Sequence, residues 1–338
     1  MQRWKNRPEG SNWGEFGEDD QVGRMNLLTA DRRLRGAQEI REGHSFCLSL
    51  PLDYPGGNVL FPYRKPPVFH HEKRGEGHNF NYRLSGVCDC YSDVICDDAV
   101  TLYTQYSTQW DALSHVGQMF DADGDGIAKK VYYNGFRGGH DIVGPDERAD
   151  PDGARALGIE KLAVAGVQGR GVLVDLERIY GHSRVAVGYD EMMAAIEAQK
   201  IDVLTGDFLC VYTGFADVLL SMNRSPDGEV LARSCAALDG RDSKLLNWIT
   251  DSGIVAICAD NFAVEIYPAR MIEGDSFPGL PLHNHCLFKL GIHLGELWYF
   301  SELAAWLRKT QRSAFFLTAP PLRLPGSVGS PLTPVATV

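Results

Sequence analysis

The sequence Gln105-Tyr-Ser-Thr-Gln109-Trp110-Asp111-Ala-Leu-Ser114-His115 places two amides, a carboxylate and an imidazole within eleven residues. Residues 99–103, directly before it, are rich in β-forming side chains, so we predict a strand of a buried sheet there. The polar residues that follow would then surround one cavity at the carboxyl end of that strand. Because α/β proteins usually bind ligands at this edge, the stretch predicts an α/β fold built around a functional site.

The same stretch resembles the signature of the cyclase family of metal-dependent hydrolases, which includes kynurenine formamidases and isatin hydrolases. The family motif reads His-x-Gly-Thr-His-x-Asp-x-x-x-His, and the chain aligns with it without a gap. Thr108, Asp111 and His115 match the motif's Thr, Asp and last His. Gln105 and Gln109 replace its first two histidines, which bind a divalent metal in the family together with the Asp.

The resemblance continues along most of the chain, over roughly residues 10–325. Further blocks that look like those of the longer family members lie at residues 10–28, 169–176, 260–265 and 283–296. The resemblance implies a mixed, curved β-sheet around an interior active site, with helices packed outside it, of the swivelling β/β/α type. We expect one cyclase-like domain over residues 1–338, with an N-terminal arm at 1–28 and a Pro-rich C-terminal segment at 311–338.

The resemblance also implies a divalent metal ion held by side chains from distant parts of the chain. The candidate ligands are Gln105, Gln109, Asp111, His283 and Glu296. Amide oxygens are weaker zinc ligands than imidazole nitrogens, so the two glutamines favour harder ions. Mn²⁺, Zn²⁺ and Mg²⁺ are the candidate ions, and His285 is an alternative to His283 as the histidine that faces the site.

We expect an enzyme that hydrolyses a C–N or C–O bond in a small cyclic amide, lactone or aryl amide. A metal-activated water would attack the carbonyl, and His115 would act as general acid/base beside Asp111 and Gln109. Trp110 would form an aromatic wall for the substrate, and Asn261 would line the pocket. The alternative is a metal-free family member that acts as a lyase or isomerase, or that only binds a small molecule.

The composition excludes several other classes of protein. The chain of 338 residues is 44% hydrophobic and 23% charged, as in ordinary globular proteins. Its formal net charge of −11 argues against nucleic-acid binding, which depends on clustered Lys and Arg. No apolar run approaches the roughly 20 residues that span a bilayer, so we expect no membrane association and a cytoplasmic location. No Gly-rich phosphate motif follows a predicted strand, so we expect no nucleotide cofactor.

Apolar runs and helix caps predict where the remaining elements lie. Predicted strands cover residues 45–50, 81–88, 99–103, 171–176, 207–213, 253–258 and 313–318. Predicted helices cover residues 30–41, 189–199, 243–251, 282–290 and 301–308. The Pro- and Gly-rich residues 51–77 predict a long loop, and such loops often cover functional sites. We expect the chain to bind a small-molecule substrate and to assemble as a homodimer or homotetramer.

Two further patterns have ordinary explanations. The eight cysteines are scattered, several of them in apolar stretches, which predicts buried reduced thiols. Cys88, Cys90 and Cys96 would be metal ligands in a second interpretation, but their spacing lacks the paired elements of structural zinc sites. Residues 121–126 resemble the start of a calcium loop, yet Tyr132 occupies the position of the closing carboxylate, so we favour a solvated turn.

Overall fold

A computed structural model describes residues 2–149, 152–274 and 276–338. At its centre lies one mixed, strongly curled sheet with helices outside it, which confirms the predicted fold class. Its strands, in chain order, are β1 (Ser45–Cys47), β2 (Gln109–Asp111), β3 (Gln168–Asp175), β4 (Phe208–Tyr212), β5 (Ala256–Ala259), β6 (His293–Glu296), β7 (Ala314–Thr318), β8 (Gly329–Pro331) and β9 (Val335–Thr337). Across the sheet they are ordered β1-β9-β7-β3-β4-β5-β6-β2-β8.

The four central strands, β3 to β6, run parallel and form the middle of the sheet. Every residue of β4 and β5 is buried. Strands that are covered on both faces do not need a polar side, which explains the unbroken apolar runs in this part of the sequence. The predictions of strands at residues 171–176, 207–213 and 253–258 are therefore confirmed, with small shifts at their ends.

The helices form the outer layer of the fold. They are α1 (Ala30–Ala37), α2 (Ile159–Ala165), α3 (Glu177–Tyr180), α4 (Tyr189–Ala198), α5 (Phe215–Ser221), α6 (Gly228–Ala232), α7 (Ser243–Ser252), α8 (Pro281–His283) and α9 (Ser301–Thr310), with 3₁₀ turns at Gly23–Leu27, Leu84–Gly86 and Tyr133–Gly135. The predicted helix at 282–290 is α8 followed by a π-helix at Asn284–Leu290. Asp242 caps α7 by accepting hydrogen bonds from the backbone N–H groups of Lys244 and Leu245.

The loops between these elements contain small two-stranded sheets, most of them antiparallel. They join Val68–His70 to Ala99–Thr101, Lys73–Arg74 to Gly77–His78, Tyr82–Arg83 to Val94–Ile95, Gln118–Phe120 to Lys129–Val131, Ile142–Val143 to Gly153–Ala154, and Ala186–Val187 to Ala237–Leu238.

Residues 65–103, which we call the excursion, correct two of the strand predictions. Of the predicted strands at 81–88 and 99–103, only Tyr82–Arg83 and Ala99–Thr101 form strands, and both lie in small pairs rather than in the main sheet. Leu84–Gly86 is a 3₁₀ turn instead. Ala99–Thr101 is exposed throughout, and the side chain of Phe69 opposite it is 63% exposed. β-forming residues indicate an extended backbone, but they do not say which sheet the strand joins. The main-sheet strand nearest to the candidate functional residues is β2, which lies within residues 105–115 rather than before them.

The Pro-rich C-terminal segment contributes three strands to the main sheet. The predicted strand at 313–318 is confirmed as β7, and β8 pairs antiparallel with β2. In that pairing Gly329 lies opposite Asp111, where a Cβ atom would meet the Gln105 amide and the Trp110 carbonyl oxygen. Glycine therefore permits the close approach of these two strands.

The cysteines differ in part from the prediction of buried thiols. Cys210, Cys235, Cys258 and Cys286 are buried and free, as expected. Cys88 and Cys90 instead form a disulfide bond in the excursion, and Cys47 and Cys96 are exposed. Among the described residues, no helix has the length and hydropathy required to cross a membrane.

We expect Gly329→Ala to lower the free energy of unfolding by about 1 to 3 kcal/mol, because the new methyl group must displace the neighbouring strand. A Cβ atom at this position would lie 2.9 Å from the Trp110 carbonyl oxygen, which belongs to rigid backbone. Gly279→Ala is the matched control, because a Cβ atom there would have no other atom within 4 Å. Urea unfolding of both variants measures the difference, and equal stabilities would contradict the close packing of β2 and β8.

Candidate metal centre and active site

Strand β2 presents Gln109 and Asp111 on the same face, because side chains alternate along a strand. In the antiparallel neighbour β6, Glu296 lies opposite Gln109. The Gln109 Nε2 donates to Asp111 Oδ1 at 3.3 Å and to Glu296 Oε2 at 3.1 Å. The register of these two strands therefore places two buried carboxylates around one amide.

His283 joins this pair from the end of α8. Its Nε2 lies 3.1 Å from Glu296 Oε1 and 3.8 Å from Asp111 Oδ2. One ligand atom from each of the three residues lies within 4.8 Å of the other two. We call Asp111, His283 and Glu296 the Asp-His-Glu cluster. All three side chains are buried, so bulk water has little access to the cluster.

Glu265 holds His283 in place, a role that the sequence pattern did not reveal. Its Oε1 accepts hydrogen bonds from the backbone N–H of His283 at 3.0 Å and from Nδ1 at 2.8 Å, and its Oε2 accepts from the N–H of Leu282 at 2.9 Å. A carboxylate behind a histidine fixes the orientation of the ring and directs Nε2 forwards. The sequence did contain one indication of this role. Glu265 stands between apolar neighbours, and a carboxylate that is buried with them needs a hydrogen-bonding or charged partner.

The cluster strongly perturbs its own protonation. Burial, followed by the nearby charge of Glu296, raises the pKa of Asp111 to about 8. Burial opposes the charged form of His283, but hydrogen bonds with Glu265 and Glu296 raise its pKa to about 10. For Glu296 burial is outweighed by the hydrogen bond and charge of His283, so its pKa is lowered. A cation bound among these groups would stabilise the ionised form of Asp111.

The donor set fits a divalent metal ion. Asp111 Oδ2 and Gln109 Oε1 are buried and have no hydrogen-bond partner among the described residues. Buried polar atoms without a partner are rare in proteins and require an explanation. Carboxylate, imidazole and amide donors together suit Mn²⁺, Mg²⁺ or Zn²⁺. The Asp-His-Glu cluster could hold such an ion, with Gln109 beside it.

His115 lies at the open side of the cluster. Its side chain is 20% exposed, whereas that of Asp111 is fully buried, and its Nε2 lies 3.8 Å from Asp111 Oδ1. Burial, and then the charge of His283, lowers the pKa of His115 to about 4. The imidazole is therefore neutral at neutral pH and is able to accept a proton.

Gln105 is placed near the site but has other contacts. Its Oε1 accepts a hydrogen bond from the Thr104 hydroxyl at 2.8 Å, and its backbone carbonyl accepts one from Arg64 Nη1 at 2.8 Å. Its Nε2 is buried and has no partner among the described residues. Gln105 Oε1 already accepts one hydrogen bond, whereas Gln109 Oε1 accepts none among the described residues, so Gln109 is the better candidate ligand of the two.

The two predicted substrate-binding residues, Trp110 and Asn261, are both buried. Trp110 is completely buried, packs edge-on against Trp298 and donates its indole N–H to the Ala319 carbonyl. Because side chains alternate along β2, it points into the core on the face opposite Asp111. Asn261 is also buried, and its Nδ2 donates to the carbonyl oxygens of Ala236 and Val264. Trp110 is thus a core residue. Asn261 stays a prediction as a substrate-binding residue, and its Oδ1 is buried with no hydrogen-bond partner among the described residues.

Two other candidates of the sequence lie outside the site. His285 Nε2 lies 2.9 Å from the Thr250 hydroxyl, so His283 rather than His285 faces the carboxylates. In the acidic turn at residues 121–126, Asp121 accepts hydrogen bonds from three backbone N–H groups. Lys129 Nζ donates to both Asp123 and Asp125. These contacts are those of a solvated turn, as predicted.

Comparison with known proteins identifies the family. The family model described as "Putative cyclase" matches residues 46–266, more than half of the chain. The chain belongs to the cyclase family. A crystal structure described as a novel cyclase is 32% identical in sequence over 97% of this chain and 97% of that chain, with a TM-score of 0.75. No curated protein matches the sequence significantly.

Two solved structures of lower sequence identity share the fold. Isatin hydrolase A from Labrenzia aggregata, bound to benzyl benzoate, is 13% identical over 91% of this chain and 98% of that chain, with a TM-score of 0.52. Isatin hydrolase A from Ralstonia solanacearum is 14% identical over 91% and 94% of the two chains, with a TM-score of 0.53. At this level of identity the similarity establishes a common fold.

We expect Glu265→Gln to weaken divalent-metal binding by about 10- to 100-fold, because the amide no longer fixes and polarises His283. Titration calorimetry with Mn²⁺ measures the affinity, and thermal unfolding shows whether the variant remains folded. Glu197→Gln, on the exposed face of α4, removes the same charge far from the cluster and serves as the control. Equal Mn²⁺ affinities of the two variants would contradict the positioning role of Glu265.

Proposed function

We propose that this member of the cyclase family hydrolyses a C–N or C–O bond in a small cyclic amide, lactone or aryl amide with the help of a divalent metal ion. The observation that carries the proposal is the buried Asp-His-Glu cluster, in which Asp111 Oδ2 has no hydrogen-bond partner among the described residues. The partly exposed His115 beside it supports hydrolysis rather than simple metal storage. The isatin hydrolases among the structural matches are consistent with this class of reaction.

Each residue of the site has a separate role in the proposed reaction. Asp111, His283 and Glu296 would hold the metal, while Glu265 orients His283. When bound, a divalent ion polarises the scissile carbonyl and lowers the pKa of water. His115 Nε2 would take the proton of the attacking water and return it to the leaving nitrogen or oxygen. The low pKa of its imidazole keeps the base unprotonated at neutral pH.

A second candidate is a metal-free lyase, isomerase or binding protein. The hydrogen bonds of Gln109 favour it, since its Nε2 links Asp111 and Glu296 where the family motif has a metal-binding histidine. An amide in that position stabilises two carboxylates without a metal. In this case His115 and Asp111 would carry the chemistry alone.

Metal analysis separates the two candidates. We expect about one equivalent of Mn²⁺, Zn²⁺ or Mg²⁺ per chain in purified protein, and loss of turnover after chelation that metal addition restores. A panel of lactones, imides and aryl formamides defines the substrate class. Protein without stoichiometric metal, with turnover unaffected by chelation, would favour the metal-free candidate.

We expect His115→Ala to lower kcat by about 10²- to 10⁴-fold, the usual contribution of a general acid/base, without unfolding the protein. The side chain is at the edge of the cluster rather than in the core, so thermal unfolding should change little. His140→Ala, an exposed histidine, is the control for removal of an imidazole. Unchanged turnover of His115→Ala would remove His115 from the mechanism.

The homodimer or homotetramer and the cytoplasmic location stay predictions. The excursion gives the first of them a physical basis, because Val68, Phe69, Val87 and Val94 are each more than half exposed. An assembly would cover such exposed apolar side chains with another protein surface. Light scattering in solution measures the assembly directly.

A further inference from the structure

One small hairpin of the excursion carries a disulfide bond that the proposed reaction does not use. Tyr82–Arg83 pairs with Val94–Ile95, and the turn between these strands contains Cys88 and Cys90. The Cα atoms of the two cysteines lie 5.2 Å apart, within the range that a disulfide bond spans. Cys90 is exposed and Cys88 is half-buried, so the turn that carries the bond faces solvent.

This disulfide contributes little to holding the fold together. A structural disulfide stabilises a protein more when it closes a longer loop, and Cys88 and Cys90 are only two positions apart. Hydrogen bonds already fix the turn around them. The N–H of Leu84 donates to the Asp93 carbonyl at 2.9 Å. The N–H of Tyr91 donates to the Cys88 carbonyl at 2.9 Å. These bonds keep the hairpin in place when the disulfide opens.

The two sulfur atoms of the bond differ in hydrogen bonding and in access. The backbone N–H of Cys90 donates to the Sγ of Cys88 at 3.3 Å. A hydrogen bond to sulfur favours its thiolate form, and a stabilised thiolate is the better leaving group. Cys90 is also the more exposed residue of the two, so an incoming thiolate reaches it more easily. Both observations favour attack at Cys90 and release of Cys88.

We propose that Cys88 and Cys90 form a thiol–disulfide exchange site for low-molecular-weight thiols such as glutathione. The thiolate of a first small thiol attacks Cys90 Sγ, the S–S bond breaks, and its electron pair leaves on Cys88 Sγ, which takes a proton. A second small thiolate attacks the first one in the mixed disulfide, and Cys90 leaves as a thiolate that takes a proton.

The exchange is balanced and reversible. Two small thiols are oxidised to one small disulfide, the cysteine pair is reduced by two electrons, and the two protons of the small thiols end on Cys88 and Cys90. The small disulfide drives the same steps backwards. The turn favours closure of the bond, because it keeps the two cysteines adjacent.

Two other exposed thiols are removed before the test. Cys47 and Cys96 are free and exposed, whereas the other four free cysteines of the described chain are buried. Burial raises the pKa of Cys235 to about 12, which keeps that thiol unreactive. The double variant Cys47→Ser/Cys96→Ser therefore leaves the pair as the only cysteines in the described chain that are not buried.

Equilibration of this folded double variant with mixtures of reduced and oxidised glutathione measures the exchange. Alkylation followed by peptide mass spectrometry gives the fraction of the pair that is bonded. We expect the pair to pass reversibly from bonded to reduced as reduced glutathione increases, while the Tm changes by less than about 3 °C. A pair that stays bonded or stays reduced throughout would overturn the proposal. Reduction that requires unfolding, or that lowers the Tm further, would show a structural cross-link and would also overturn it.

The position of glutathione in the mixed disulfide tests the direction of attack. The reaction with reduced glutathione is quenched early with acid, and peptide mapping locates the adduct. We expect about fivefold more glutathione on Cys90 than on Cys88. Cys88→Ser and Cys90→Ser in the same background, each loaded with glutathione, calibrate the two peptides. Equal adducts, or an excess on Cys88, would overturn the assigned direction. Neither measurement uses hydrolysis, so both results are independent of the proposed function.

Discussion

The pairing register of β2 with its two neighbours is the constraint on which the rest of the site depends. It sets Gln109 against Glu296 on one side and Asp111 against Gly329 on the other. A shift of one residue would turn Asp111 into the core and Trp110 towards the cluster, because strand side chains alternate. The buried packing of Trp110 on Trp298 opposes such a shift. The hydrophobic contact on one face of β2 thus fixes the positions of Gln109 and Asp111 on the other face.

The sequence allowed the central fold to be predicted, because its physical signals are strong and local. Segments such as β4 and β5 are unbroken apolar runs, which are typical of a sheet covered on both faces. The same signals could not predict which sheet the strands of the excursion join. Its short strands have the same residue preferences as those of the main sheet, and only tertiary contacts decide which sheet they join. The C-terminal prolines likewise concealed β8 and β9.

The candidate site was predictable where the family motif constrained it and less so elsewhere. Asp111, His283 and Glu296 lie together, although long stretches of sequence separate them. The motif did not state which face of the strand each residue occupies, so the position of Trp110 was missed. Glu265 ends one of the blocks that resemble the family, but only coordinates show that it supports His283. Side-chain direction and long-range contacts are what spacing alone leaves open.

The edge strand β8 joins the first strand of the candidate site to a segment far along the sequence, since Pro331 pairs with Gln109. A ribosome releases the amino-terminal part of a chain long before the carboxyl-terminal part, and domains fold as their segments emerge. The strand that bears Asp111 must therefore wait, with one edge unpaired, until β8 has been synthesised. A nascent chain halted just before β8 would carry Asp111, His283 and Glu296 without the edge strand that aligns β2.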